Sequence, residues 1–491
     1  MGPGHFGRGI WSLIDPLPTG MLALEKVLAR RVIAILVIGA TAGCAGPARP
    51  NVLLLVIDTA RADRFSWDGS ERPTTPRLAA LAREGTVYMQ AFSPAPWTVP
   101  AHASLFTGRY PSLHRTDCGS LRLPDKEVTL AEVLRAAGYR TVGYTANPWL
   151  GSTYNFQQGF DTYGETWREV PQGSDDTGAA ITNQKVERFL RWRQDHPEAS
   201  RQPFFLFVNY FEAHLPYHPP EPERGRLLRP GTDPGRVERL ARLGHPEEMR
   251  YILGLSDLSG DDLIVLNDLY DGEIAYVDRK AGEVVDLFRQ LGLLDRTIVA
   301  VLSDHGENIG DHHLMDHKMS VHETLLRVPL LLRYPGRVTA GGRIETPVQM
   351  HDLFPTLLAL AGIELPEGVA IEAEPLPGAG IGGGGRGPHD PIIGEFAGPP
   401  VEFLQLMRAT FPAADLSRFD RTLVAMRRDG YTIHWGSDGR HALYSASDDP
   451  GEVHDLSAAE PERLRQMGAA VESWLRRPAR GAGGSASRSG P

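Results

Sequence analysis

Three side chains suited to metal binding follow directly after buried-strand patterns. Asp58 directly follows the apolar run 52–57. Asp304 and His305 follow the apolar run 298–302, separated from it by Ser303. Continuous apolar runs of this kind are typical of parallel strands buried on both faces, and ligands bind beyond the carboxyl ends of such strands. Two carboxylates with one imidazole therefore predict a site for one divalent metal ion. Zn²⁺ or Mn²⁺ is favoured, and Ca²⁺, which prefers oxygen ligands throughout, is the alternative.

The stretch 94–108 predicts a short helix with Thr98 at its start. Pro100 fits the first turn of a helix, and Gly108 supplies the stop. Thr98 then lies at or next to the N-cap, among unpaired N–H groups that attract anions, and His102 lies one turn further on the same face. Thr98 is either a plain helix cap or a nucleophile that also completes the metal ligands.

Two further polar residues are suited to binding an anion. His214 follows the apolar run 204–208 and so reaches the same sheet edge. Lys318 ends a polar loop in a chain whose basic residues are almost all arginine, since lysine occurs at only five positions. We expect Lys318 and His214 to face the equatorial oxygens of a phosphoryl or sulfuryl group.

The elements that must hold these residues predict an α/β fold. Apolar strands alternate with helical patterns, which indicates a large mixed, mostly parallel sheet flanked by helices on both faces. A smaller C-terminal antiparallel sheet plus helix follows. The predicted helices are 75–85, 129–137, 262–291 and 459–476. The predicted strands, besides the two runs before Asp58 and Asp304, are 140–145, 204–208, 328–334, 422–427, 431–435 and 441–444. The stretch 222–260 is predicted as an insertion and 371–400 as a loop or linker.

The N-terminus predicts targeting to the bacterial cell envelope. A basic segment precedes the apolar run 32–43, which is short for a membrane span. The run ends at Thr41-Ala-Gly-Cys44, which resembles the lipobox of bacterial lipoproteins and implies a lipid anchor at Cys44, in the periplasm or at the cell surface. Met21 is the expected true start. A short buried helix or an uncleaved membrane anchor is the alternative.

These patterns give five predicted regions of the chain. They are a signal segment (1–43), a lipoprotein linker (44–50), a catalytic domain (51–385), a C-terminal antiparallel subdomain (386–476) and a disordered tail (477–491).

Composition narrows the partners and the cysteine chemistry. The net charge of −10, without a basic run, argues against a nucleic-acid partner. The chain has two cysteines, so a thiolate metal site is excluded, and lipidation of Cys44 would leave Cys118 without a disulfide partner. We expect a small-molecule, glycan or lipid ester as substrate. The sequence does not indicate an oligomeric state.

Motifs in matching order across residues 50–456 resemble the sulfatase branch of the alkaline phosphatase superfamily. The matching pieces are Asn51 to Asp58 with Arg61 and Asp63, Thr98 to Tyr110, Ser303-Asp-His-Gly-Glu307, His317-Lys318 with Glu323, Arg327-Val-Pro-Leu330, Leu443-Tyr444, and Asp449-Pro-Gly-Glu452. This resemblance implies a hydrolase of phosphate or sulfate esters.

The resemblance also implies a role for each matching residue. Asp58, Asp304 and His305 become metal ligands, together with Thr98 as the nucleophile. His214 and Lys318 become contacts of the substrate anion. His218 and His317 are further candidates for substrate binding, with a structural role as the alternative for each.

One departure from the family pattern changes the expected chemistry. Formylglycine-dependent sulfatases read Cys-x-Pro-x-Arg where this chain reads Thr98-Val-Pro-Ala-His102. Threonine cannot be converted to formylglycine, so a covalent Thr98 ester must be cleaved by attack at phosphorus or sulfur. The superfamily's phosphoethanolamine and phosphoglycerol transferases are similar in using a metal-bound threonine. Thr59, where calcium sulfatases often have a second Asp, also favours Zn²⁺ or Mn²⁺.

The sequence leaves three functions open. The first is an ester hydrolase in which Thr98 attacks and His102 or His214 serves as proton donor. The second is a transferase of a phospho-alcohol group to an envelope glycan or lipid. The third is a non-catalytic, anion-binding surface lipoprotein.

Overall fold

The computed structural model describes residues 49–382, 385–387 and 389–477. The predicted signal segment, its Met21 start, the lipidation site Cys44 and nearly all of the predicted tail lie outside these residues. Within the described part of the chain, no helix combines the length and the apolar character needed to cross a bilayer.

Seventeen strands make up the sheets of the described chain. In order they are β1 (Asn51–Ile57), β2 (Thr86–Tyr88), β3 (Ala91–Phe92), β4 (Arg140–Thr145), β5 (Thr162–Glu165), β6 (Phe204–Tyr210), β7 (Thr297–Ser303), β8 (Asn308–Ile309), β9 (Met315–Asp316), β10 (Arg327–Val328), β11 (Leu330–Arg333), β12 (Gly342–Ile344), β13 (Val348–Gln349), β14 (Ile392–Phe396), β15 (Leu423–Arg428), β16 (Tyr431–Gly436) and β17 (Ala442–Ser445).

The described part of the chain also forms fourteen α-helices and several short 3₁₀ helices. They are α1 (Pro76–Ala82), α2 (Thr98–Thr107), α3 (Pro111–His114), α4 (Leu130–Ala136), α5 (Ala179–Asp195), α6 (Pro197–Arg201), α7 (Glu223–Leu227), α8 (Pro234–Leu240), α9 (Glu247–Ile252), α10 (Gly260–Gln290), α11 (Glu323–Leu326), α12 (Leu353–Leu360), α13 (Val401–Thr410) and α14 (Pro461–Leu475).

The main sheet has eight strands in the order β12-β2-β11-β7-β1-β6-β4-β5. Its central strands β7, β1, β6 and β4 are parallel to one another, whereas β11 is antiparallel to both of its neighbours. Four neighbouring parallel strands therefore end at one edge. The predicted mixed, mostly parallel sheet is confirmed.

Both faces of this sheet are covered, as the uninterrupted apolar run of β1 requires. Leu53, Leu55 and Ile57 pack into one buried apolar cluster with side chains of α5 and α10. Val52 and Leu54 face the other way, into a second cluster that includes residues of α2 and α12. Alternate side chains of one strand thus anchor two helical layers.

The second sheet is antiparallel, in the order β14-β15-β16-β17, and α14 packs on it. A two-residue turn joins β15 to β16, because Arg428 pairs with Tyr431 and the intervening Asp429 and Gly430 both have positive φ. This is the turn type that suits a tight hairpin. The predicted C-terminal antiparallel sheet plus helix is confirmed.

Two predicted segments differ in detail. The run 328–334 forms two strands, β10 and β11, in different sheets, because Pro329 between them has no N–H to donate. The stretch 371–400, predicted as a loop or linker, contains β14, which pairs with β15. Its apolar signal is short and stands among glycines and prolines. The insertion 222–260 carries the three short helices α7, α8 and α9.

Candidate active site

The four parallel central strands bring polar residues together at their carboxyl edge. Asp58 follows β1, and Asp304 and His305 follow β7. Asn147 stands two residues after β4, and His214 stands four residues after β6. The edge is the place where an open α/β sheet binds its ligands.

Asp58, Asp304 and His305, called here the aspartate cluster, lie close together and wholly buried. His305 Nε2 is 3.3 Å from Asp304 Oδ2 and 3.9 Å from Asp58 Oδ1. Thr98 Oγ1 is 3.3 Å from the same nitrogen. The structure therefore brings together the four residues that the sequence predicts as metal ligands.

Hydrogen bonds fix which atom of each residue faces the centre. His305 Nδ1 donates to the carbonyl oxygen of Gly306 at 2.9 Å, which leaves the Nε2 lone pair free. Asp304 Oδ1 accepts backbone N–H groups from Thr59 and His305 at 3.2 and 2.9 Å. Asp58 Oδ2 accepts from Asn147 Nδ2 at 2.5 Å. The other oxygens, Asp58 Oδ1 and Asp304 Oδ2, are buried without a hydrogen-bond partner.

The electrostatics of the aspartate cluster call for a cation. Burial and the neighbouring Asp304 carboxylate raise the pKa of Asp58 well above its usual range. Burial opposes ionisation of Asp304 as well, but the electrostatic effect of the His305 and His102 imidazoles outweighs it and lowers the pKa of that carboxyl. Burial lowers the pKa of His305 to about 4, so its imidazole is neutral and available as a ligand.

The donor atoms present fit a divalent metal ion. Two orphaned carboxylate oxygens, one imidazole nitrogen with its tautomer fixed and one hydroxyl oxygen all point at one place. Such mixed nitrogen and oxygen sets suit Zn²⁺ or Mn²⁺, and the outer hydrogen bonds are the kind that orient metal ligands.

Thr98 is the first residue of α2, and Trp97, not Thr98, occupies the N-cap position. The plain-cap interpretation is therefore wrong for this geometry. The hydroxyl instead lies beside His305 and 3.4 Å from Asn147 Nδ2. The start of the ten-residue helix places unpaired N–H groups, which attract anions, next to this hydroxyl.

His102 sits one turn along α2, as predicted, but faces the aspartate cluster. Its Nδ1 is 3.1 Å from the Thr98 carbonyl oxygen and 3.4 Å from Asp304 Oδ2. Its Nε2 is buried without a hydrogen-bond partner. The contacts suit a residue that orients Asp304, and its predicted part in proton transfer stays a prediction.

His214 and His317 lie against the same site, with their rings tilted or edge-on rather than stacked. The His317 ring centroid is 4.4 Å from that of His305 and 4.9 Å from that of His214. Burial lowers the pKa of His214 to about 3. Burial also opposes charge on His317, but Asp316 and Glu307, at 2.6 and 3.4 Å, raise its pKa well above the usual value. His317 therefore supplies a positive charge and His214 a neutral imidazole.

Lys318 is held one layer further out. Its Nζ is 3.0 Å from Glu248 Oε1 and 2.9 Å from His245 Nε2, and it also pairs with Asp316. Burial lowers the pKa of Lys318, but Asp316 and Glu248 outweigh it and raise the net value. Contact with a substrate anion requires the ammonium to leave part of this network, so that role stays a prediction.

His218 lies in a different polar cluster. Its Nδ1 is 2.9 Å from Asp175, Arg224 approaches its Nε2 at 2.9 Å, and its backbone N–H donates to Glu273 at 2.8 Å. These contacts explain its position without a substrate, and substrate binding by His218 stays a prediction.

Asn147 was not predicted from the sequence, although it touches both Asp58 and Thr98. Its backbone N–H donates to Asn209 Oδ1, and its own Oδ1 accepts from Trp149, so the amide orientation is fixed. The signal was available: Asn147 follows β4 just as Asp58 follows β1.

Comparison with known proteins agrees with this architecture. The family model described as Sulfatase matches residues 50–363. Arylsulfatase K of Bos taurus is 25% identical, in an alignment that covers 66% of this chain and 65% of that protein. An ulvan-active sulfatase of Formosa agariphila is 26% identical, over 66% of this chain and 64% of that protein. The chain thus spans just under two thirds of the length of these curated relatives.

A solved structure shows the same fold. The phosphonate monoester hydrolase of Agrobacterium radiobacter superposes with a TM-score of 0.68 at 23% identity, over 87% of this chain and 95% of that chain. At this level of identity the likeness establishes the shared fold.

Proposed function

The chain belongs to the sulfatase family, and on that basis we propose that it is a metal-dependent hydrolase of phosphate or sulfate esters with Thr98 as nucleophile. The observation that carries this proposal is the position of the Thr98 hydroxyl. It lies 3.3 Å from His305 Nε2, beside two buried carboxylate oxygens that lack partners. This placement gives an otherwise weak nucleophile a route to activation.

The nucleophile type favours phosphoryl over sulfuryl esters. Because threonine cannot form the formylglycine diol, sulfate cannot leave by elimination and a Thr98 ester must be hydrolysed at its central atom. Phosphate and phosphonate esters react readily in this way. The phosphonate monoester hydrolase of Agrobacterium radiobacter shares this fold over 95% of its own chain, which is consistent with this preference.

The reaction has two displacements. The Thr98 oxygen forms a bond to phosphorus, the bond from phosphorus to the alcohol oxygen breaks, and the proton that the Thr98 hydroxyl loses leaves with the alcohol. Water then attacks the Thr98 ester, which releases the phosphoryl group and returns a proton to Thr98. A bound divalent metal supplies Lewis acidity, lowering the pKa of a coordinated hydroxyl and neutralising ester oxygens.

The residues around Thr98 stabilise charge on the substrate and orient the other groups of the site. Charged His317 and the N-terminus of α2 stabilise the non-bridging oxygens. Asn147 orients Asp58, and His102 orients Asp304. His214 is held neutral, and its Nε2 keeps a lone pair because its Nδ1 donates to the Leu215 carbonyl oxygen, so His214 can accept a hydrogen bond from the attacking water and orient it.

We also propose that the metal is Zn²⁺ or Mn²⁺ and that the mature protein is a lipoprotein anchored through Cys44 in the cell envelope. The donor set supports the metal assignment. The lipobox-like Thr41-Ala-Gly-Cys44 supports the anchor. Mass spectrometry of the membrane fraction for a lipidated N-terminal peptide beginning at Cys44 tests it, and an intact upstream segment would contradict it.

The nucleophile is tested by paired substitutions at one position. Thr98→Ala removes the attacking oxygen and should lower kcat/KM by about 10³-fold or more, whereas Thr98→Ser keeps it and should retain measurable turnover. Activity is measured on aryl phosphate, phosphodiester, phosphonate and sulfate esters with Zn²⁺, Mn²⁺ and Ca²⁺ added separately. Mass spectrometry of acid-quenched protein should find a phosphorylated Thr98.

Three results would contradict this proposal in different ways. Unchanged activity in Thr98→Ala excludes the nucleophile. Sulfate esters as the best substrates exclude the phosphoryl preference. Transfer of the group to added glycerol or ethanolamine, faster than its release to water, indicates a transferase.

A further inference from the structure

A second group of metal-competent side chains lies between the main sheet's loops and the C-terminal sheet. His322, His434 and Glu452 are called here the histidine cluster. His322 Nδ1 is 2.9 Å from Glu452 Oε2, and His434 Nε2 is 3.2 Å from the same carboxylate. Glu452 is 4% exposed and His434 is 8% exposed. Two imidazole nitrogens therefore converge on one buried carboxylate.

Each member is held in place by its own element. His322 is the N-cap of α11, and its ring stacks on that of His312 with centroids 3.6 Å apart. His434 is in the middle of β16. Glu452 follows β17 in a left-handed conformation (φ 51°) and accepts the backbone N–H of Glu323 at 3.0 Å. Such a conformation is costly for a glutamate, and here the surrounding structure fixes it.

We propose that the histidine cluster binds one divalent transition-metal ion of the Zn²⁺ type. Two imidazoles and a carboxylate are a known donor set for zinc. Zinc–nitrogen and zinc–oxygen bonds of tetrahedral geometry hold neighbouring ligand atoms about 3.4 Å apart. The observed separations of 2.9 and 3.2 Å need only a small expansion to admit the ion. The nitrogen-rich set selects against Mg²⁺ and Ca²⁺.

A cleft of about 520 Å³ lies beside the histidine cluster. Its lining includes His312, which stacks on His322, and Glu323 and Gly451, the sequence neighbours of His322 and Glu452. The three residues of the histidine cluster are not themselves part of this lining. A metal site needs an entry path, and this cleft is the path that we assign to the ion.

The bound ion would join the C-terminal sheet to the loop of residues 317–322, which precedes α11. His434 and Glu452 belong to the C-terminal part of the fold, whereas His322 stands four residues after Lys318. Zinc binding would therefore add a metal link between the C-terminal sheet and His322, at the start of α11. This inference does not depend on the proposed function, because it uses none of the residues of the aspartate cluster.

Metal content of matched variants tests the site. The full-length protein, His434→Gln and His454→Gln are each loaded with Zn²⁺, dialysed and analysed by elemental mass spectrometry. His454 is 82% exposed at its side chain and lies two residues from Glu452, so it is the matched control. We expect His434→Gln to hold one zinc fewer than the wild-type protein and His454→Gln to hold the same number. Equal zinc content in all three proteins would overturn the proposal.

A measurement on the unaltered protein covers the case in which His434→Gln does not fold. Anomalous diffraction at the zinc edge, from crystals of zinc-loaded wild-type protein, should give a peak between His322, His434 and Glu452. Absence of that peak would overturn the proposal. A peak at the aspartate cluster concerns the proposed function alone, so the two failures are distinguishable.

Discussion

The aspartate cluster and the histidine cluster use similar ligands but differ in how their atoms are satisfied. In the aspartate cluster, Asp58 Oδ1 and Asp304 Oδ2 are buried without partners, and the pKa of Asp58 is raised by burial and by Asp304. In the histidine cluster, both imidazoles already hydrogen-bond to Glu452. The buried carboxylates of the aspartate cluster need a cation to balance their charge. In the histidine cluster, hydrogen bonds from the two imidazoles already satisfy the Glu452 carboxylate.

This difference indicates two kinds of metal dependence. A buried pair of carboxylates is costly until a cation compensates it, so under the proposed function we expect activity to depend on the metal at the aspartate cluster. A satisfied hydrogen-bond network keeps its geometry without metal, so we expect the histidine cluster to be stable both with and without a bound ion. Metal removal and single substitutions should therefore affect the two clusters differently.

The largest expected effect is loss of activity on chelation. Dialysis against EDTA should lower turnover by about 10³-fold or more, since Thr98 loses its activation. Stepwise addition of stoichiometric Zn²⁺ or Mn²⁺ should restore turnover. Circular dichroism should show that the protein stays folded throughout.

The same titration distinguishes the clusters. In His434→Gln, chelation and metal addition should change activity as in the wild-type protein. Full activity after exhaustive chelation would contradict metal dependence of the aspartate cluster.

A smaller effect is expected at Asn147. Replacement by Ala removes the hydrogen bond to Asp58 Oδ2, and loss of such an outer partner costs about 10- to 100-fold in metal affinity or activity. Zinc titration followed by activity measures this. Wild-type affinity in Asn147→Ala would remove Asn147 from the site.

The smallest effects are on stability and should have opposite signs. In metal-free protein, Asp58→Asn relieves buried carboxylate repulsion and should raise the free energy of unfolding by about 1–2 kcal/mol. Glu452→Gln weakens two charge-assisted hydrogen bonds and should lower it by about 1–2 kcal/mol. Urea unfolding in EDTA measures both, with His454→Gln as a neutral reference. Shifts of the same sign would contradict the contrast between the clusters.

The aspartate cluster could be predicted because its members obey one local rule. Asp58 and Asp304-His305 each follow an apolar run, and parallel strands deliver such residues to one edge whatever their order in the sheet. Asn147 obeys the same rule after β4 but is an amide, a residue type that does not by itself indicate metal chemistry. The start of α2 at Thr98 was predicted from Pro100 and Gly108.

The histidine cluster could not be predicted in this way. His322, His434 and Glu452 come from a helix N-cap, an antiparallel strand and a turn, and their meeting depends on how the C-terminal sheet docks. The hydrophobic periodicity of the sequence does not indicate how that sheet docks. Lys318 likewise ends a predicted polar loop, yet its pairing with Glu248 depends on the fold of the insertion 222–260.

The position of β1 at the middle of the sheet has a consequence for folding kinetics. Val52 pairs with Phe205 and Asn51 pairs with Thr297, so β1 acquires its two neighbours only after very long loops close. Contacts of such high sequence separation form slowly. A metal ion at the aspartate cluster would therefore not nucleate folding from a short local motif. It would enter a nearly finished protein, because a chain interrupted before β7 lacks Asp304 and His305.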